Sequence, residues 1–181
     1  MTATYQIINH RIDAARQYPS PHAGPRPDSE ISLIVLHCIS LPAGHFGGRY
    51  VQELFMGQLS PAVHPDFSDL TDVRVSAHLF IRRTGVLSQF VAFDQCAWHA
   101  GESSYQGRPA CNDYSIGIEL EGTDTSPFNP IQYEVLQSVV MALQHHYRMP
   151  KSAVVGHAEV APGRKTDPGV HFDWKKFRRG G

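Results

Sequence analysis

Two histidines and one aspartate are the residues of this sequence best suited to hold a catalytic metal ion. His37 ends one short apolar run, His157 ends another, and Asp167 follows His157 after a turn-rich loop that can bring it back beside the histidine. Two imidazoles and one carboxylate leave one tetrahedral position open to water, which is typical of catalytic zinc, whereas structural zinc sites usually fill all four positions with protein ligands. The pattern predicts one Zn²⁺ ion bound by these three side chains.

A carboxylate in the middle of a predicted strand is the next candidate for chemistry. In YSIGIELEG the apolar residues alternate with Gly117, Glu119 and Glu121, which therefore share the opposite face. Glu119 would lose its solvation there unless it were paired or worked near a metal, while Glu121 is expected at the strand end within reach of water. The spacing leaves two alternatives for Glu119, a catalytic group or a structural ion pair.

The elements that must position these residues alternate between strands and helices. Strands are predicted at 32–38, 78–83, 86–93, 114–121 and 153–156, with a tight hairpin turn at Thr84-Gly85. A helix is predicted from Asn129-Pro130, where Gln132 completes a capping box, and shorter helices at 49–56, inside a long loop from 41 to 71, and at 173–179. This order favours an α/β fold, a single domain with a central mixed β-sheet flanked by helices.

Length and composition exclude several classes of protein. The 181 residues suit one domain, with 1–30 as an N-terminal arm and 31–178 as the catalytic core. A net charge of -1 supplies no basic stripe for nucleic acid, and no apolar run is long enough to cross a membrane. Three cysteines without a CxxC pair, and no signal-like apolar segment near the start, predict free thiols and a cytoplasmic location. Oligomeric state is not fixed by the sequence, and a monomer is the expectation.

Many separated segments of the chain match one family in order. They are PSPH, VLHCISLPAGHFGG, RVSAHLFIRRTG, AWHAG, YQGR, CNDYSIGIELEGTD and GHAEVAPGRKTDPG. On these segments, which span nearly everything from 19 to 177, the chain resembles the AmpD-type anhydro-muramoyl-L-alanine amidases, relatives of peptidoglycan-recognition proteins and phage amidases. The resemblance implies their amidase-like fold.

The resemblance also implies roles for individual residues. His37, His157 and Asp167 fall on the zinc ligands, and Glu119 and Lys165 on the catalytic pair, so it agrees with the spacing argument for the metal. The remaining matches concern substrate binding: Arg74 falls on an arginine that meets a substrate carboxylate, and Trp98, His99 and Asn112 fall on segments that line the cleft.

Two departures from the family pattern both concern the substrate. Cys38 stands where members carry asparagine, and Ala110 stands where some carry a second peptide-binding arginine, a charge for which Arg108 is a substitute. They bear on affinity for the stem peptide and leave the bond-cleaving residues in place. The side chain of Cys38 itself is expected to be a packed thiol rather than a ligand, because adjacent strand residues point to opposite faces.

The activity implied by the resemblance is hydrolysis of the amide between the lactyl group and L-alanine in 1,6-anhydro-N-acetylmuramoyl peptides. The substrate is a small soluble muropeptide released during peptidoglycan recycling, and its removal in such enzymes depletes a signal that induces beta-lactamase. Three alternatives remain: a non-catalytic module that binds peptidoglycan fragments, an amidase acting on the intact cell wall, and an interaction domain that zinc only stabilises.

Overall fold

A computed structural model of the chain describes residues 5–179, which form twelve strands and four α-helices. The strands are β1 Ile7–Ile8, β2 Arg11–Ile12, β3 Arg16–Gln17, β4 Ala23–Pro25, β5 Leu33–Ile39, β6 Leu79–Ile81, β7 Leu87–Gln89, β8 Gln95–Ala97, β9 Ser104–Tyr105, β10 Arg108–Pro109, β11 Ser115–Glu121 and β12 Val154–Gly156. The helices are α1 Tyr50–Phe55, α2 Pro130–Tyr147, α3 His157–Val160 and α4 Trp174–Arg179. Short 3₁₀ helices lie at Pro61–Val63, Pro65–Leu70, Cys111–Asp113 and Lys151–Ala153.

The core of the fold is a six-stranded mixed sheet in the order β12-β5-β11-β6-β7-β3. Neighbours from β12 to β6 are parallel, and β6 and β7 form the predicted antiparallel hairpin. Strand β5 has a nearly continuous apolar sequence, as expected of a strand that is covered on both faces. In β11, beside it, apolar residues alternate with Gly117, Glu119 and Glu121, yet this strand is also buried along its whole length. The predicted α/β class with a mixed sheet is confirmed.

The register of the central strands determines which side chains meet. Glu119 of β11 lies opposite His37 of β5, and Gly156, at the end of β12, lies opposite Leu36. His157 therefore leaves the sheet next to His37. Because parallel strands present their carboxyl ends at one edge, the three polar residues gather there, as is usual for sites of open α/β sheets.

Helix α2 covers one face of the sheet and is anchored by its first turn. Asn129 donates its backbone N–H to Gln132 Oε1 at 3.0 Å, as the predicted capping box requires. The Gln132 amide then donates to the carbonyl oxygens of Ile81 and Glu121, at the ends of two strands. The cap thus fixes both the start of the helix and its position on the sheet. No helix within residues 5–179 is long and apolar enough to cross a membrane.

The hairpin turn between β6 and β7 requires a glycine at position 85. Arg82 donates its N–H to the carbonyl of Val86 at 3.0 Å, which closes the turn. Gly85 has φ of +82°, and a Cβ atom there would lie 2.6 Å from Cγ1 of Ile131 in α2. Only glycine meets both the backbone conformation and the close approach of the helix.

The first part of the described chain is held by strand pairing. Strand β3 adds to the edge of the main sheet beside β7, and β4 pairs antiparallel with β8. Arg26 follows β4, and its guanidinium donates to the carbonyls of Phe93, Asn112, Asp113 and Ser115. These contacts fix the N-terminal residues against the segment that leads into β11.

The expectation that Glu121 lies within reach of water is wrong, because its side chain is only 4% exposed. Its Oε1 accepts the backbone N–H of Gly47 at 2.6 Å, and its Oε2 accepts the N–H of Arg83 at 2.9 Å. The Arg82 guanidinium lies 3.8 Å from Oε1. Glu121 therefore ties the long loop to the hairpin, and its charge is balanced inside the protein.

We expect Glu121→Ala to lower the free energy of unfolding by about 2–3 kcal/mol, because it removes a buried carboxylate that accepts two backbone N–H groups. Chemical denaturation measures this change. The matched control is Glu134→Ala, which removes a carboxylate from the exposed face of α2 and should change the free energy of unfolding by less than about 0.5 kcal/mol. Equal losses in the two variants would contradict the role given to Glu121.

Candidate metal and active site

Three side chains from distant parts of the chain converge at the carboxyl edge of the sheet. His37 Nδ1 lies 2.9 Å from His157 Nδ1 and 3.1 Å from Asp167 Oδ2, and His157 Nδ1 lies 3.0 Å from the same carboxylate oxygen. The two histidines leave adjacent strand ends, and the loop after α3 returns Asp167 to them. The sequence analysis named these three residues, and the structure brings them together in a group that can hold a metal ion.

The geometry of this group fits a small tetrahedral cation. Ligand atoms about 2.0–2.1 Å from such an ion stand roughly 3.3 Å from one another, close to the separations in the structure. Two ring nitrogens and one carboxylate oxygen form a donor set that zinc accepts. Both histidines are almost completely buried, so their rings have few alternative orientations.

The protonation states of the group also suit a metal ligand set. Burial lowers the pKa of His37 to about 4, so its ring is neutral near pH 7. Burial by itself would raise the pKa of Asp167, but hydrogen bonds from His157 and His37 outweigh burial and hold the pKa below its ordinary value. A neutral imidazole and an ionised carboxylate are the forms that bind metals.

Glu119 lies in the same cleft, and one oxygen of its buried carboxyl lacks a hydrogen-bond partner among the described residues. Its side chain is 9% exposed, and within residues 5–179 its Oε2 has no donor in reach. Burial raises the pKa of Glu119 well above its usual range, the nearby Asp167 raises it further, and the Lys165 ammonium lowers it. A buried carboxyl that no structural partner satisfies favours the catalytic alternative over the structural ion pair.

The cleft that contains these groups has a volume of about 540 Å³ and an open mouth. Lys165 lies exposed on its rim, in the loop that carries Asp167. Trp98 stands on its wall, 36% exposed, with its indole stacked on His22. The wall also carries polar side chains that the sequence analysis did not single out, namely Ser40, Ser76, Thr123, Asp124, Arg164 and Thr166. The polar run GTD after β11 is the signal that could have found Thr123 and Asp124, and the RKT of the Asp167 loop could have found Arg164 and Thr166.

The residues predicted to bind substrate occupy different places. Trp98 and His99 line the cleft, whereas Arg74, Arg108 and Asn112 are not among its lining residues. Arg74 is exposed beside a separate cavity of about 160 Å³. Arg108 pairs with Glu30 at 2.8 Å and lies over the Tyr114 ring, and the Asn112 side chain accepts the backbone N–H groups of His99 and Ala100.

Two further polar residues near the site have other partners. His78 accepts the N–H of Gly117 at Nδ1 and contacts the carbonyl of Gln95 through Nε2, so both ring nitrogens are used outside the metal group. Cys38 borders the cleft and packs partly against the core. Burial, with Glu119 next, raises the pKa of its thiol, which keeps it protonated and a poor ligand.

Comparison with known proteins connects this site to a family of enzymes. The chain is 54% identical over 165 residues to the 1,6-anhydro-N-acetylmuramyl-L-alanine amidase AmpD of Citrobacter freundii, covering 91% of this chain and 88% of that protein. The crystal structure of a selenomethionine AmpD derivative superposes with a TM-score of 0.94 at 50% identity, covering 96% of this chain and 98% of the other.

A more distant relative has been solved with a ligand. The amidase AmiD of Escherichia coli, in complex with anhydro-N-acetylmuramic acid-L-Ala-D-gamma-Glu-L-Lys, superposes with a TM-score of 0.61 at 29% identity, covering 89% of this chain and 60% of AmiD. The family model described as N-acetylmuramoyl-L-alanine amidase matches residues 27–170. With most of its length matched by that model and by close relatives, the chain belongs to the N-acetylmuramoyl-L-alanine amidase family.

Proposed function

We propose that the protein is a zinc-dependent amidase that hydrolyses the bond between the lactyl group and L-alanine in 1,6-anhydro-N-acetylmuramoyl peptides. The observation that carries the proposal is the convergence of His37, His157 and Asp167 beside the unpartnered carboxyl of Glu119 in one open cleft. The AmpD relatives support the substrate, since they are named for this bond in the anhydro sugar. The AmiD complex supports it as well, because its ligand is an anhydro-muropeptide.

Different residues of the cleft bind the metal and transfer the proton in the proposed reaction. His37, His157 and Asp167 would hold the zinc ion, which would supply a Lewis acid for the scissile carbonyl and for the attacking water. Glu119 takes the proton of the attacking water and passes it to the alanine nitrogen as the bond breaks. Its raised pKa suits the first task, because such a carboxylate takes up a proton more readily than an ordinary one.

We assign to Lys165 the stabilisation of charge that appears during the reaction. Its position on the cleft rim supports this role, and so does its electrostatic effect on the pKa values of Glu119 and His37. A cation there stabilises the oxyanion that forms from the lactyl carbonyl, and removal of one such donor typically slows a reaction roughly 100- to 1000-fold.

We further propose a cytoplasmic monomer that acts on soluble wall fragments. The three cysteines are free, as suits a reducing compartment. A recycling enzyme in that compartment removes anhydro-muropeptides, which in some bacteria also lowers the signal for beta-lactamase induction.

Mass spectrometry of a purified 1,6-anhydro-muropeptide incubated with the protein tests the proposed function. We expect release of the intact stem peptide and the anhydro sugar, and loss of this release when a chelator removes the metal. Intact sacculi are the parallel substrate and should react much more slowly. Binding without cleavage would identify a recognition module instead, and equal rates on sacculi would identify a wall-degrading amidase.

Arg74 provides a test of substrate recognition. Val75 and Ser76, the next two residues, line the cleft, and Arg74 itself is exposed beside the neighbouring cavity. Loss of one charged contact to a stem-peptide carboxylate in Arg74→Ala should raise KM roughly tenfold, which corresponds to about 1.4 kcal/mol, with kcat and zinc content unchanged. Arg16→Ala, which changes an exposed arginine of β3, is the control. An unchanged KM in Arg74→Ala would remove this residue from the substrate site.

A further inference from the structure

We infer that residues 98–101, the ligand-holding segment, position both metal-binding histidines by contacts on the side of each ring that faces away from the metal. The side chain of His99 and the backbone carbonyl of Ala100 each accept a hydrogen bond from the ring nitrogen of a ligand histidine that faces away from the metal. This inference rests on the proposed zinc centre. It makes His99 and Asn112 positioning residues, in place of the substrate contacts expected from their location near the cleft.

The environment of His37 shows how its ring is held. Its Nδ1 faces His157 and Asp167, and its Nε2 lies 2.9 Å from His99 Nδ1. Because a ring nitrogen that binds metal carries no proton, the neutral ring carries its proton on Nε2 and donates it to His99. His99 Nδ1 is then an acceptor, and its own proton resides on Nε2.

The hydrogen bonds continue consistently beyond His99. Its Nε2 lies 3.2 Å from Ser115 Oγ, and Ser115 Oγ donates to the carbonyl of Cys111 at 2.5 Å. Every group in this series therefore has one direction of donation, from His37 through His99 and Ser115 to a backbone carbonyl. Both ring nitrogens of His99 are used within the protein, so neither is left to bind a substrate.

The second ligand histidine is held by the next residue of the same segment. His157 Nδ1 faces Asp167, and its Nε2 lies 3.2 Å from the carbonyl oxygen of Ala100. By the same argument, His157 donates its Nε2 proton to this carbonyl. Ligand histidines that donate their second nitrogen to a carbonyl or another acceptor keep their tautomer and orientation, and such partners are worth roughly 10- to 100-fold in metal affinity.

Two side chains and one glycine from other parts of the chain fix the position of the ligand-holding segment. Asn112 Oδ1 accepts the backbone N–H of His99 at 3.2 Å and that of Ala100 at 2.9 Å. Arg164, from the loop that carries Asp167, donates Nη2 to the carbonyls of Ala100 and Glu102. Gly117 of β11 leaves the space for the His99 ring, since a Cβ atom there would lie 2.4 Å from Cγ of that ring.

The test is the zinc affinity of a matched pair of amide variants at position 99. In His99→Asn the side-chain oxygen can stand near the former Nδ1 and accept from His37, whereas in His99→Gln it reaches toward the former Nε2, beside Ser115. We expect His99→Asn to keep nearly all the affinity for zinc and His99→Gln to lose it roughly 10- to 100-fold. His99→Leu, which has no acceptor, should resemble His99→Gln.

Competition with a chromogenic chelator measures the affinity, and the visible absorption of the Co²⁺-substituted protein reports ligand geometry independently of activity. The absorption bands of bound Co²⁺ should shift in His99→Gln and should stay at their wild-type wavelengths in His99→Asn. The control is His22→Leu, which removes the partner of Trp98 but touches no ligand histidine. It should keep both the affinity and the spectrum, even where its unfolding temperature falls.

Two outcomes would overturn the inference, and they differ. In the first outcome, the wild-type protein binds zinc and cleaves the anhydro-muropeptide, but both amide variants have zinc affinities within twofold of the wild-type value. The ligand-holding segment then has no positioning role, and the proposed function stands. If the wild-type protein itself does not bind zinc, the proposed zinc centre fails, and this inference fails with it.

Discussion

Replacing Glu119 with glutamine is expected to lower kcat for the anhydro-muropeptide by roughly 100- to 10,000-fold, the usual contribution of a positioned acid–base group. Glutamine has nearly the same shape but cannot take a proton from water. The three metal ligands do not include Glu119, so the zinc content should remain at about one ion per chain. Steady-state kinetics and metal analysis of the same sample measure both quantities.

The matched control for this prediction is Glu121→Gln, two residues along the same strand. Glu121 is also a buried carboxylate, but it contacts the backbone of the long loop and the hairpin and does not line the cleft. The Glu121→Gln variant should be less stable than the wild-type protein but should keep its kcat at temperatures where it is folded. If Glu119→Gln retained near-normal turnover, the base would have to be another group.

His157→Ala is expected to abolish both zinc binding and turnover. The substitution leaves His37 and Asp167 as the remaining ligands, too few to hold zinc tightly, so the zinc content should fall from about one ion per chain to nearly none. Because the carbonyl is then no longer polarised, the rate should drop further than in Glu119→Gln. The contrast between the two variants separates the metal-binding residues from the proton-transfer residue.

An exposed histidine serves as the control for His157→Ala. His145 lies on the solvent face of α2, and His145→Ala should keep both zinc and activity. A His157→Ala protein that was folded and still held one zinc ion would show that the three-residue group is not the metal site. Circular dichroism of both variants establishes that they are folded.

The sheet and its main helix could be predicted from the sequence because their signals are local. The continuous apolar run of β5 and the alternating run of β11 can be recognised from their own residues, and the capping box at Asn129 and Gln132 lies within four consecutive residues. The two-residue strands β1, β2 and β3 have no such signal. Strands β1 and β2 are defined only by their pairing with each other, and β3 only by its pairing with the distant strand β7.

The same distinction separates the parts of the site. His37, His157 and Asp167 have residue types and strand-end positions that point to a metal on their own, and the structure brings them together. The burial of Glu121 could not be predicted, because its acceptor role depends on Gly47 and Arg83, which approach only in the folded chain.

The hydrogen bonds of His99 belong to the same class. Sequence resemblance assigned this residue to the cleft wall, but its contacts with His37 and Ser115 are made across strands and depend on the space above Gly117. An assignment based on position in a motif identifies the neighbourhood of a residue. It does not identify which of its atoms are already engaged.

The two histidines proposed to bind zinc are 120 residues apart along the chain, so the affinity for zinc would report whether the chain is fully folded. The proposed ligand set is complete only when β12 has joined β5 and the loop that carries Asp167 has returned, so partly folded chains should bind zinc poorly. By mass action, zinc then favours the fully assembled chain over every incomplete form, and more strongly as its free concentration rises. Scarcity of zinc would therefore shorten the lifetime of the protein as well as remove its activity.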